Sequence, residues 1–294
     1  MRHAVCIYNP TSRKADRSLL NEVESLLRRQ GYDVELRSTD YRLHATALAR
    51  EAVAANADLV IISGGDGTIN EVIGGMALSR VPVAILPSGT ANVLANELHL
   101  PRSLVAAAEM IAISQPARIA LGKAGDRFFI LMAGIGVDAS IIYALDWRLK
   151  QRLGELAFWL EGLRHWFRYQ FVPLCIDVDG RRHECTFAII ARSAGYGGGL
   201  KIASHAHLLQ DRLDICMFTG RSRLRYLRYL LAVLSGTHLR LDDVIYAHGK
   251  QVQVVSEHRI KVQVDGELAG ELPMRFEIVP DALTLLVPPA YLEK

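Results

Sequence analysis

The chain has 294 residues, 34 Lys+Arg against 31 Asp+Glu, half of them apolar and 22% charged. That length suits two domains, and the composition excludes a mainly disordered, collagen-like or low-complexity chain. Four cysteines at unrelated spacings exclude a disulfide scaffold and predict reduced thiols in a cytoplasmic protein.

The opening MRHAVCIYNP reads as a strand running into a turn, not as a secretory leader. No run of 18 uncharged apolar residues occurs, so no spanning helix is expected. In chain order, residues 4–8 form a strand candidate. Residues 18–30 place Leu19, Leu20, Val23, Leu26 and Leu27 at a helical period, closed by Gly31. Strand 34–37, helix 45–56, strand 59–62, helix 69–78 and strand 83–86 follow. Helices alternating with continuously apolar strands predict a Rossmann-like α/β domain with a parallel sheet.

The rhythm changes after about residue 118. Strand patterns run over 127–132, 174–178, 185–191, 212–218, 251–255, 260–264, 275–279 and 283–287. Turn signals separate them at Asp179-Gly180, Asp265-Gly266 and Pro280-Asp281. The expectation is an antiparallel β-sandwich domain with helical insertions at 146–169 and 224–234. Pro116, Gly122 and Gly125 mark the domain switch.

Positive charge is local. Residues 147–169 carry +3 and residues 221–240 carry +5, leaving the remainder near −5. Such patches suit an anionic surface. The first also holds Trp147, Phe158, Trp159 and Trp166, which fits either a membrane-interface helix or a packed helix with a solvated basic side. Neither segment carries a nucleic-acid-binding motif, so no nucleic-acid partner is expected.

The strongest chemical signal is Ser63-Gly64-Gly65-Asp66-Gly67-Thr68-Ile69-Asn70-Glu71, between an apolar strand and a helix. Glycines let backbone approach phosphate, and the helix start offers amides and a positive dipole end. Thr68 adds a hydroxyl, and Asp66 can approach a phosphate-bound Mg²⁺. The same residues also suit a plain strand-to-helix turn with Asp66 or Thr68 as cap. No Walker motif is present. Gly134-Ile135-Gly136-Val137-Asp138-Ala139 matches G-x-G-x-x-A, yet no βαβ unit follows, and a tight turn entering a helix is the expectation. His205-Ala206-His207 lacks a third ligand at standard spacing.

SGGDGTINEVIGG resembles the nucleotide motif of the diacylglycerol kinase catalytic-domain family, specifically its soluble bacterial lipid kinases, and is similar also to sphingosine kinases. Further motifs follow in family order: Asn9-Pro10-Thr11-Ser12, Leu86-Pro87-Ser88-Gly89-Thr90-Ala91-Asn92, Lys150-Gln151-Arg152-Leu153-Gly154, Gly197-Gly198-Gly199 and Val264-Asp265-Gly266-Glu267. The resemblance implies an ATP-binding domain over 1–120, joined by a tail at 288–294, and a lipid-substrate domain over 121–287. It implies nucleotide contacts at Asn9, Thr39, Gly64, Gly65, Asp66, Gly67, Thr68, Ile69, Asn70, Gly89 and Thr90, catalysis by Asp66 and Glu267, and ATP with Mg²⁺ as cofactors. Glu267 would be the general base. A structural Mg²⁺ site of pattern L-x-x-D-x-L would use Leu208, Asp211 and Leu213, the leucines through their carbonyls.

The implied activity is phosphorylation of a lipid hydroxyl, as in diacylglycerol or a sphingoid-like lipid, by a cytoplasmic enzyme docked on an anionic membrane. Assembly into homo-oligomers stays open. Val93 and Ala120 stand where many members have aspartates, and Arg212 replaces a glycine beside the metal-site aspartate. Ala120 keeps a second reading open, a catalytically impaired regulatory protein that binds nucleotide or lipid, whereas members resembling sphingosine kinases share the departure at Val93, which points to substrate class, and Arg212 bears on the metal site. NAD kinases share the GGDGT turn, but their resemblance stops near it.

Overall fold

A computed structural model describes residues 1–12, 17–144 and 171–293. The predicted insertion at 146–169, with the Lys150–Gly154 motif, lies outside the described residues. The chain divides into two compact units, Met1–Leu121 with Pro280–Lys294, and Gly122–Val279.

Unit 1 is built on parallel strands β1 (Arg2–Tyr8), β2 (Tyr32–Ser38), β3 (Leu59–Gly64) and β4 (Pro82–Pro87), in the order β2-β1-β3-β4. The final residues of β16 (Met274–Val287) pair parallel with β4, Thr284 opposite Pro82. β3 is buried along its whole length, which is why its sequence shows no polar alternation. Helices α1 (Arg17–Arg29), α2 (His44–Ala54), α3 (Asp66–Met76), α4 (Val93–Glu97) and α5 (Leu104–Ile111) connect the strands. In α1, Leu20, Val23, Leu26 and Leu27 form the buried stripe that the period predicts, and Gly31, at φ 89°, ends the turn beyond it. α2 and α3 lie so close that a Cβ on Gly75 would stand 2.6 Å from the Thr46 carbonyl.

Unit 2 contains a six-stranded antiparallel sheet. Its order is β12 (Val244–Gly249), β11 (Leu213–Phe218), β10 (Phe187–Ala191), β7 (Met132–Ile135), β14 (Lys261–Val264) and β15 (Glu267–Glu271). Separately, β13 (Gln251–Val255) pairs with the first part of β16 and with β8 (Leu174–Val178), itself in a hairpin with β9 (Arg181–Cys185). β5 (Gln115–Ala124) forms a hairpin with β6 (Arg127–Phe129). Helices α6 (Val137–Ala144) and α7 (Arg223–Leu234) also belong to unit 2, and α8 (Pro289–Leu292) to unit 1.

Two expectations, on a turn and on a strand, are corrected; the domain switch expected around Pro116 and Gly122 lies within strand β5. Gly122 is a strand residue facing Phe129, whose ring a Cβ there would meet at 2.1 Å. The turn expected at Pro280-Asp281 is the midpoint of one long strand. β16 passes through it with Asp281 at φ 52°, changing partner from β13 to β4. The single strand expected over 127–132 is two, β6 and β7, parted at Ile130 and Leu131, whose amides bond to the Asp265 carboxylate.

Candidate active site

The register of unit 1 puts the ends of three strands side by side: Tyr8 beside Ser63, then Ser63 and Gly64 beside Leu86 and Pro87. Ligands of open α/β sheets bind at this carboxyl edge. The loop after β1 is tied to the loop after β3, with Asn9 N donating to Ser63 O at 3.0 Å and Asn9 Nδ2 to Thr68 Oγ1 at 3.5 Å. Ser12 Oγ meets Ser88 Oγ at 2.8 Å.

The two glycine turns interlock. Ser88 N donates to Gly64 O at 3.2 Å, and Asp66 Oδ1 accepts from the amide of Val93, the first residue of α4, at 2.7 Å. Asn92, left-handed at φ 48°, brackets Gly89 by accepting from its N–H and donating to its carbonyl, both at 2.9 Å. A Cβ on Gly89 would stand 2.4 Å from Gly65 Cα, and one on Gly65 3.3 Å from Gly89 Cα. Two backbones touch here, which only glycine permits.

The structure therefore gathers Asn9, Gly64, Gly65, Asp66, Gly67, Thr68, Gly89 and Thr90 at one edge of unit 1, around the start of α3. Thr39 follows β2, its amide bonded to Tyr8 O at 2.9 Å. Ile69 and Asn70 are 2% and 6% exposed, so Ile69 serves the core beneath the turn. Glu71 has a role that the motif did not reveal. Its carboxylate accepts from Leu43 N at 2.9 Å and Ala45 N at 3.2 Å, holding the amides that open α2.

Glu267 lies in unit 2, on the hairpin joining β14 to β15. Val264 pairs with Glu267, and Asp265 and Gly266 have φ of 47° and 82°, which makes this a type I′ turn. The buried Asp265 carboxylate accepts three amides, from Ile130 at 2.9 Å, Leu131 at 3.0 Å and Met132 at 2.8 Å. Gly266 N donates to Gln263 Oε1 at 2.8 Å. The Glu267 carboxylate accepts from Arg127 Nη2 at 2.8 Å, and Arg127 Nη1 donates to Leu268 O. Asp265 thus welds the hairpin to the sheet, and Arg127 orients the carboxylate. Sequence reading missed both roles, because each partner is more than a hundred residues away.

Beside this hairpin, Gln263 Nε2 donates to Asp138 Oδ2 at 2.6 Å and the Tyr196 hydroxyl donates to Asp138 Oδ1. Burial raises the Asp138 pKa and pushes that of Tyr196 well up. A Cβ on Gly134 would strike Asp138 Oδ2 at 1.8 Å. That contact explains the first glycine of the G-x-G-x-x-A string, whose strand β7 has only antiparallel neighbours, β10 and β14.

The residues expected to hold a structural divalent ion face another cation. The fully buried Arg192 donates from Nη2 to Leu208 O at 2.7 Å, and from Nη1 to Arg212 O at 2.6 Å and to Gln210 O. Asp211 is exposed, and Leu213 begins β11. A divalent ion ligated by the Leu208 carbonyl would stand against a buried guanidinium, where like charges repel strongly. The loop does not fit that ion. Among the described residues, no group of three or more His, Cys, Asp or Glu side chains could hold a metal. Cys6, Cys185 and Cys216 are buried, with thiol pKa values pushed up to about 12 by burial, so they are poor nucleophiles at neutral pH.

Comparison with known proteins decides the family. Residues 3–124 match the model of the diacylglycerol kinase catalytic domain, and residues 132–287 match that of the YegS C-terminal NAD kinase beta sandwich-like domain. The chain is 31% identical over 282 residues to a diacylglycerol kinase of Bacillus subtilis, covering 94% of this chain and 93% of that one. It belongs to the diacylglycerol kinase catalytic-domain family. A diacylglycerol kinase of Staphylococcus haemolyticus is 30% identical, over 92% of this chain and 83% of its own. A crystal structure of a diacylglycerol kinase from Bacillus anthracis superposes with a TM-score of 0.81 at 24% identity, over 98% of each chain. The family supports a lipid kinase, and kinase domains take a nucleotide as phosphoryl donor.

Proposed function

We propose that this chain is an ATP-dependent lipid kinase that phosphorylates the hydroxyl of diacylglycerol or of a sphingoid-like lipid. Unit 1 takes the nucleotide and unit 2 the lipid. The interlocked turns at Gly65 and Gly89 carry the reading, because a backbone-lined notch before a helix start is suited to a phosphate chain. The amides opening α3 would receive the phosphates, with Asp66 and Thr68 beside the Mg²⁺ that accompanies ATP. Phosphoryl transfer needs positioning and charge neutralisation above all. Glu267, held by Arg127, accepts the hydroxyl proton as the oxygen attacks the γ-phosphorus. The rigid hairpin beneath it, pinned by Asp265, limits its wandering.

One observation favours a second reading. Ala120, buried in β5, stands where the resemblance implies a magnesium-organising aspartate, and alanine has no oxygen for a metal or its water. On that reading the chain binds nucleotide or lipid without turnover. Purified protein given ATP, Mg²⁺ and vesicles holding one test lipid at a time separates the two. The kinase reading expects ATP consumption that requires a lipid hydroxyl and yields the phosphorylated lipid. ATP binding without phosphorylation of any lipid in the panel, cured by Ala120→Asp, would install the regulatory reading instead.

A further inference from the structure

Helix α7 carries apolar side chains on two opposite sides. Its inward side carries the buried Ala232 and Tyr226, Tyr229 and Val233, these three in one cluster with Phe187, Phe218 and Ile189. Its outward side carries Leu224, Leu227, Leu231 and Leu234, which are 78%, 40%, 58% and 52% exposed. Steps of three, four and three residues line these leucines up on one stripe, and Leu230 widens it. A surface helix ordinarily points its apolar stripe to the core and its polar side to water.

The orientation is fixed by chemistry on the inner side. The Tyr229 hydroxyl accepts from Gly220 N at 2.8 Å and donates to Asp243 O at 3.3 Å, and its ring lies 4.9 Å from Phe218. A Cβ on Gly220 would meet that hydroxyl at 2.5 Å, so the helix start is seated against it. Ser222 caps the first turn through Arg225 N at 3.4 Å. Rolling the leucines inward would break the tyrosine bonds, so the stripe faces out by construction.

The surroundings identify the occupant. Residues 221–240 contain five arginines and no acid. Arg228 lies on the helix between Leu224 and Leu231, four residues from one and three from the other, and borders the stripe. Arg221 and Arg225 pair with Glu184 and Asp243 at 3.2 and 2.8 Å and flank the helix start. Leucines that leave water, bordered by the exposed Arg228 guanidinium and with Arg221 and Arg225 at the helix start, match the boundary between acyl chains and headgroups of an anionic bilayer.

We propose that the outward face of α7 is a membrane-docking surface, its leucines entering an anionic bilayer and its arginines meeting the lipid phosphates. This deepens the lipid-kinase reading and rests on it for its biological purpose, but its physical test does not. The probe is a vesicle of phosphatidylcholine with or without phosphatidylglycerol, sedimented with the full chain in the absence of ATP. Binding should require phosphatidylglycerol. The variant Leu224→Gln, Leu227→Gln, Leu231→Gln, Leu234→Gln should lose about tenfold or more in partitioning while keeping its ATP affinity and changing its melting temperature little, because those side chains are 40–78% exposed. Arg228→Gln should weaken binding less and flatten its salt dependence. Dispersed short-chain diacylglycerol should still be phosphorylated by the leucine variant.

Two results would overturn the proposal. One is vesicle binding unchanged in the leucine variant. The other is a wild-type dimer in analytical ultracentrifugation that the leucine substitutions dissociate, which would assign the stripe to a second copy of the chain. If no lipid is ever phosphorylated but the leucine variant still loses vesicle binding, the kinase reading falls and the docking surface stands.

Discussion

Replacing Glu267 by Gln keeps the size and the bond from Arg127 but removes the proton acceptor. We expect kcat to fall by about 10²–10⁴-fold with ATP affinity nearly unchanged. A loss below about threefold, where chemistry limits the rate, would reduce the carboxylate to a hairpin side chain. At the nucleotide notch, Gly89 is the less forgiving glycine, since its Cβ would stand 2.4 Å from the backbone of Gly65. Gly89→Ala should cost at least tenfold in ATP affinity by calorimetry, and Gly65→Ala, with 3.3 Å available, should cost less. Arg192→Met leaves the carbonyls of Leu208, Gln210 and Arg212 facing a thioether. Each buried acceptor left unpaired costs about 1–3 kcal/mol, a loss that urea unfolding would read. The wild-type melting temperature should ignore both Mg²⁺ and EDTA when nucleotide is absent. A clear rise with Mg²⁺ would return the loop to the metal. The glycine turns and the Asp265-Gly266 hairpin turn were legible in the sequence because their signals are short and local, while the role proposed for Glu267 came only through the family resemblance. Arg192, Arg127 and Asp265 were not, because their partners come together only when distant strands pair.

At the scale of elements, helices and buried strands could be read where one periodicity ruled. The stripe of α1 and the apolar run of β3 are such cases. The failures share a cause as well. Pro, Gly and Asp punctuate turns, but β5 and β16 hold these residues inside strands because neighbours compensate. Gly122 is covered by Phe129, and Asp281 is held by Arg118 Nε at 2.6 Å. That ion pair yields a pH prediction. The Arg118 hydrogen bond holds the Asp281 carboxyl below its usual value, so folding favours the ionised form. Its contribution is fully present above the unfolded value of about 3.9 and is lost as pH falls through the lowered folded value. Asp281→Asn suits the left-handed backbone and does not titrate. The gap in urea midpoint between wild type and this variant should therefore be open at pH 7 and close toward pH 3.

For the whole molecule, the decisive feature is that unit 1 is discontinuous, made of Met1–Leu121 and Pro280–Lys294. Leu283, Leu285 and Val287 on the last part of β16 are fully buried beside the parallel sheet. Each such side chain contributes roughly 1.5–3 kcal/mol on burial, together a large part of the 5–15 kcal/mol that stabilises a domain. A fragment ending at Leu121 should therefore show no cooperative thermal transition by circular dichroism, and one carrying residues 280–294 on a flexible linker should regain it. A cooperative melt of the short fragment would show that the final strand adds little. The sequence hinted at this return only through the family resemblance, since nothing in residues 280–294 says which strand they will join.

That discontinuity sets a timetable for the newborn chain. A ribosome adding about 5–20 residues per second takes roughly 15–60 s over 294 residues. All of unit 2 is made before residues 280–294 emerge, so the lobe begun first is the lobe finished last. For that interval the apolar strand β4 has an open edge, the feature by which sheets recruit foreign strands. Chaperone demand during synthesis should then track the arrival of residues 280–294 more than overall length. Slowing translation just ahead of the codons for residues 280–294 should lower the soluble yield more than slowing it anywhere earlier.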